Sequence, residues 1–226
     1  MKRFYTEVAI EGGAILLDGR PVKTPARAPL ALPCSTLAEA VAEEWRAQGD
    51  TIDPRTMPLT GLANAAIDRV APDPAGFARP IAAYAETDLL CYRADHPAEL
   101  AAAQAAAWDP LLDWARTRYD VHFTLTTGLI HVAQPPATVV RLGEALLALD
   151  AFALAPLSPI VTISGSLVIA LALAEGAIGA ETAFDVAHLD ELWQIERWGE
   201  DALGSQAREQ RRADFRAAAR FVELLA

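Results

Sequence analysis

Between Ala151 and Ala174 the chain contains no Asp, Glu, Lys or Arg. A run of that length can in principle cross a bilayer, which takes about 20 apolar residues. The segment must therefore be either a membrane span or a piece of chain buried on every side. Pro156 and Pro159 break its first third, and Ser158, Thr162, Ser164, Gly165 and Ser166 dilute its middle. Neither end is flanked by the Lys or Arg that would set an orientation in a membrane. The reading is a central core helix, apolar all round, in a soluble protein.

The residues before this core helix divide by pattern. The segments "RFYTEVAI", "AILLD" and "RPVKT" are short and apolar, separated by Gly12-Gly13 and Asp18-Gly19. Asp-Gly between apolar runs signals a tight antiparallel hairpin. "APLALP" alternates with period two between prolines, as an edge strand would. Thr36 and Glu39 fit a capping box that opens a helix, with Leu37, Val41 and Trp45 on one face and Gly49 placed to end it. After the turn-forming "APDP" (residues 71–74) the chain is helix-patterned, with a short extended return at "VHFTLTT". Pro97 suits a first helical turn, and Asp109-Pro110 predicts a kink or restart. The fold class expected is α+β: an N-terminal α+β domain over 1–72 with antiparallel hairpins, then an all-helical domain over 73–226.

Charge removes several function classes. The 226 residues carry a formal net charge of −11. Binding to phosphate backbones needs clustered Lys and Arg, and the only cluster, "REQRR" (Arg208 to Arg212), sits among acids and reads as a solvated helix face. Nucleic acid and anionic membrane surfaces are therefore not expected partners. Cys34 and Cys91 are isolated, which fits reduced thiols. "MKRFYTEVAI" leads into a strand and shows no export or transit pattern.

No Walker-type loop follows Gly12-Gly13 or Gly165, and "ISGS" lacks the glycines of a nucleophile elbow. Asp185-x-x-His188 with Glu191 resembles half of a bundle-type carboxylate metal site. His96, His122 and His131 have no acid three residues earlier, so a second half is missing. No cofactor or metal is expected.

The segment "ELWQIERWGED" (Glu191 to Asp201) concentrates the remaining unusual chemistry. Read as one continuous helix from about Ala180, it aligns Phe184, Ala187, Ile195 and Trp198 in a stripe with Glu191 at its centre. A carboxylate there costs several kcal/mol unless a partner holds it. It is either satisfied internally, by His188 or a nearby Arg, or used as an acid or as a recognition anchor.

Six motifs in fixed order, "LDGRPVKTPAR", "EWRAQGDTIDPRTMPLTGLANAAID", "YAETDLLCYRA", "WDPLLDWA", "GSLVIALAL" and "ELWQIERWGED", closely resemble the F1 ATP synthase assembly chaperones that act on the alpha subunit. The likeness runs from Arg3 to about Phe221. It implies a non-enzymatic chaperone, monomeric when free, that binds the unassembled alpha subunit and prevents its aggregation until beta takes its place. The arginine bias and the start at Met1 fit a bacterial, cytoplasmic member, where eukaryotic relatives act in the mitochondrial matrix. The resemblance also turns the acidic helix into a recognition surface, with Glu191, Trp193, Gln194, Glu196, Trp198 and Asp201 as the expected partner-binding residues. The alternative is a carboxylate/His-dependent enzyme, or a metal-binding helical protein, built on Glu191 and His188.

Overall fold

The computed structural model describes residues 1–128, 130–199 and 202–226. Three short strands, β1 (Val8–Glu11), β2 (Ala14–Leu17) and β3 (Arg20–Pro21), form an antiparallel sheet in that order. Val8 faces Leu17 across the first hairpin, and Leu17 faces Arg20 across the second. Both turns use positive φ: Gly12 and Gly13 at 56° and 84°, Asp18 and Gly19 at 47° and 75°. The Asp18 carboxylate also accepts the N–H groups of Thr6 and Glu7, which ties the second turn to the start of the chain. "APLALP" does not form the expected strand. It makes only isolated bridges, Lys23 to Pro29 and Ala14 to Ala31, because its prolines have no N–H to donate.

Helix α1 (Ser35–Arg46) lacks the expected capping box. Cys34 takes the cap position, while Thr36 lies two residues further in and donates its hydroxyl to the Leu224 carbonyl at 2.6 Å. Glu39 pairs with Arg46 instead, and the helix ends before Gly49. Glu44, on α1, supplies the cap for the next helix. Its carboxylate accepts the N–H groups of Leu59 and Thr60 at the start of α2 (Pro58–Ala65), which runs on through a wide turn over Ala66–Val70.

The helical remainder comprises α3 (Pro74–Ala82), α4 (Ala98–Tyr119), α5 (Pro136–Leu147), α6 (Ala151–Leu154), α7 (Leu157–Ser164), α8 (Leu167–Ala174), α9 (Ala180–Ala187), α10 (Leu189–Trp198) and α11 (Ala202–Glu223). A two-stranded parallel pair, β4 (Tyr92–Arg93) with β5 (Thr126–Thr127), realises the short extended return. Helix α4 is continuous through Pro110, and Pro97 precedes its first turn. A proline inside a helix costs about 3 kcal/mol through its missing N–H and its ring clash, and burial of Trp108, Leu111 and Leu112 beside it outweighs that.

The uncharged segment is three helices, not one. Gly165, at φ 69°, closes α7, and Ser166 opens α8 by accepting the Ile169 N–H at 3.0 Å. Every residue from Leu167 to Leu173 is buried, so α8 alone is the helix apolar on all sides. Among the described residues no helix is long and apolar enough to cross a membrane. Asp88, fully buried, accepts the N–H groups of Leu90 and Val168 and so ties the chain before β4 to the start of α8. Burial pushes its carboxyl up to about 6, against four hydrogen bonds that favour the charged form.

The main core gathers around α8, with Trp108, Leu112, Leu142, Phe184 and Phe215. A second cluster under the sheet joins Ile15, Leu30, Leu37 and Val41 to Phe221 near the C-terminus. The last helix therefore packs into the first hundred residues' core.

Candidate functional site at the α9–α10–α11 junction

The single stripe read from the sequence is broken at His188. That residue leaves helical geometry, at φ −107° and ψ 20°, and separates α9 from α10. Its imidazole folds back to stack on Phe184, with ring centroids 3.9 Å apart, and Nδ1 donates to the Phe184 carbonyl at 2.9 Å. Burial holds the imidazole below its usual pKa, which favours the neutral ring. Phe184 meets Phe215 of α11 edge-on and carries the Arg212 guanidinium at 4.4 Å. The apolar part of the expected stripe thus belongs to α9 and the core. Helix α10 has no buried residue at all.

Glu191 is not stranded in an apolar face. Its carboxylate receives Arg208 at 3.3 Å and Arg211 at 3.0 Å from α11. One turn back, Arg212 bridges Glu181 and Asp185 at 3.1 and 2.9 Å, and Arg216 also holds Glu181. The "REQRR" cluster is therefore only partly a solvated face: Glu209, Gln210 and Arg211 are exposed, but Arg212 is half-buried and the Arg208 side chain is only 8% exposed. Glu181 and Asp185 are four residues apart, as are Arg212 and Arg216, and that matched spacing was the available signal. Asp185, His188 and Glu191 take separate partners and do not converge on a common point.

Two further contacts seat this junction on α4. The Trp108 indole N–H donates to the Val186 carbonyl at 2.9 Å, and the Gln104 amide donates to Asp190 at 2.8 Å. Arg93 supports the same region from β4, pairing with Asp109 at 2.7 Å over the Trp108 ring. Sequence reasoning passed over Asp88, Arg93 and Gln104, because buried polar links between distant segments leave no periodic trace.

Leu189 packs against the main core, and beyond it the exposed side chains of α10 are Gln194, Glu196, Arg197 and Trp198. Trp198 is 73% exposed, and Leu203 in the first turn of α11 is 80% exposed. Trp193 is half-buried, edge-on to Trp198 at 5.8 Å with the Arg197 guanidinium 3.9 Å over its ring. Gln194 and Glu196 are exposed. Glu191, Gln194, Ile195 and Trp198 line a shallow cleft of about 290 Å³ against Gly204 and Arg208 of α11. Of the six residues expected to bind a partner, Glu191, Trp193, Gln194, Glu196 and Trp198 are thus gathered on α10. Asp201 lies outside the described residues.

A small antiparallel sheet joined to a helical body, with an exposed aromatic-and-acid helix latched to its neighbour, makes an α+β protein with a candidate interaction surface on α10. Residues 2–116 match the family described as ATP12 chaperone protein, and the chain belongs to that family. The crystal structure of Atp12 from Paracoccus denitrificans is 44% identical, covers 100% of this chain and 98% of that one, and superposes with a TM-score of 0.94. A structure from Agrobacterium tumefaciens is 41% identical with a TM-score of 0.92, covering 100% of this chain and 86% of the other. The mitochondrial protein atp12 of Schizosaccharomyces pombe is 26% identical over 219 residues, 89% of this chain and 75% of that protein.

Proposed function

We propose that the protein is a non-catalytic chaperone of ATP synthase assembly that binds the unassembled alpha subunit of F1 and keeps it from aggregating until beta displaces it. It acts as a monomer in the bacterial cytoplasm. An orphan alpha subunit exposes the apolar surface that beta normally covers, and such a surface drives aggregation. The observation that supports the reading is α10 itself: a ten-residue helix with no buried side chain, carrying Trp198 largely exposed beside Gln194 and Glu196. Large aromatics act as anchors, and flanking acids orient the partner while discouraging self-association. In this reading Glu191 holds the surface in place through Arg208 and Arg211, and Trp193, Gln194, Glu196, Trp198 and Asp201 meet the partner.

Co-expression with the F1 alpha subunit followed by pull-down tests the proposal. The expected result is a soluble complex with the wild type, lost in Trp198→Ala combined with Glu196→Lys. No complex, or an undiminished one with that variant, rejects the partner or the surface respectively.

A further inference from the structure

A cleft of about 650 Å³ opens against the N-terminal sheet, far in sequence from α10. Phe4, Leu17, Val22 and Trp45 supply apolar wall, and Arg20 and Lys23 supply cations. Asp18 also lines it, but its carboxylate is already engaged by the Thr6 and Glu7 N–H groups and the Thr6 hydroxyl. Arg20 and Lys23 are exposed, and Arg20 feels the Asp18 carboxylate without a salt bridge to it.

The aromatic wall is held in place before anything binds. Phe4 is 65% exposed, yet its ring stands edge-on to Tyr5 at 5.5 Å, and Tyr5 stands edge-on to Trp45 at 5.8 Å. The buried Tyr5 donates its hydroxyl to the Trp45 carbonyl at 2.6 Å, which fixes the middle rung. The Trp45 indole N–H is itself buried with no acceptor. A buried donor left unpaired costs about 1–3 kcal/mol, so this ring sits in its place with one polar group unsatisfied.

Charge distribution supplies the chemistry of the occupant. Both lysines of the chain fall in its first 23 residues, and residues 1–32 hold five Lys or Arg against three Asp or Glu. The rest carries 14 basic against 27 acidic residues, so this end of the chain has a basic excess while the whole is acidic, and Arg20 and Lys23 bring two of its cations to the cleft. We propose that this cleft docks an acidic segment of a protein partner. Its carboxylates would meet Arg20 and Lys23, and a neighbouring large apolar side chain would lie on Phe4 and Trp45. A concave, partly apolar wall with only two cations suits a short peptide side chain and carboxylate better than a flat lipid surface or a phosphate backbone, which needs a longer run of clustered cations. The inference stands apart from the α10 reading.

The full chain is titrated into a short fluorescein-labelled peptide alternating glutamate with leucine and phenylalanine, with anisotropy as the readout. Binding should weaken about tenfold or more in Arg20→Glu with Lys23→Glu, about tenfold in Phe4→Ala, and with added salt. Both positions are exposed, so thermal unfolding should be unchanged; Arg20→Gln with Lys23→Gln serves if the charge reversal does not fold. The indole N–H resonance of Trp45, assigned with Trp45→Phe, should move on binding, and Trp198→Ala should change nothing. Equal binding of a peptide with lysine in place of glutamate, an unmoved Trp45 resonance, or binding only to phosphatidylserine vesicles would overturn the proposal.

Discussion

The Arg211 guanidinium lies 3.0 Å from the Glu191 carboxylate and approaches both of its oxygens, while Arg208 reaches one of them at 3.3 Å. This contact ties an otherwise unburied α10 to α11, so the charge of Glu191 acts first on geometry. Glu191→Gln should cost only about 0.5–1 kcal/mol in urea unfolding, because the carboxylate is partly solvated. Glu191→Lys places a third cation beside two arginines and should cost about 2 kcal/mol or more. Adding Arg211→Glu to Glu191→Lys should recover at least half of that loss. No recovery in the double variant means the pair does not hold the helix.

Trp198 should behave in the opposite way. With its ring mostly in solvent, Trp198→Ala is expected to change stability by less than about 0.5 kcal/mol. Capture of the alpha subunit should fall about tenfold, as for an aromatic anchor. Paired unfolding curves and pull-downs separate the two effects.

Phe221 sits fully buried among Ile15, Leu30 and Leu37, so the end of the chain completes the core under the sheet. Phe221→Ala should cost about 3–5 kcal/mol in chemical unfolding. We propose the division of the chain into 1–72 and 73–226, and limited proteolysis should cut first in the exposed stretch from Ala71 to Pro74. The two fragments should still co-elute on size exclusion, held by Phe221; separation without denaturant would contradict that role.

Two buried groups set opposing pH dependences. Asp88 has a folded-state pKa of about 6 against an ordinary 3.8, so the native protein binds more protons between those values and its stability falls as pH rises through them. His188 is lowered from 6.5, so the unfolded chain takes up the proton first and stability is lost as pH falls below that value. Urea melts at a series of pH values should show Asp88→Asn losing the first slope and His188→Gln flattening the second. Asp88→Asn should also cost about 1–3 kcal/mol, since an amide cannot accept from both the Leu90 and Val168 N–H groups.

Local chemistry was enough to read the two hairpins, the positive-φ turns at Gly12-Gly13 and Asp18-Gly19, the α+β class and the charge-free core segment, because each depends on neighbours within a few residues. The motif series placed the chain in its family for the same reason: it is a property of the string. What the string left open is how far each pattern runs and what meets it. One turn of backbone at His188 moved Phe184 into the core and left Trp198 in solvent. Thr36 exchanged a local cap for the Leu224 carbonyl 188 residues away. Glu191 found Arg208 and Arg211 only because α11 folds back along α9 and α10. Helical periodicity carries no information about such partners. Long-range pairing is decided by which surfaces the burial of α8 and Phe215 brings together, and that energy is summed over the whole fold.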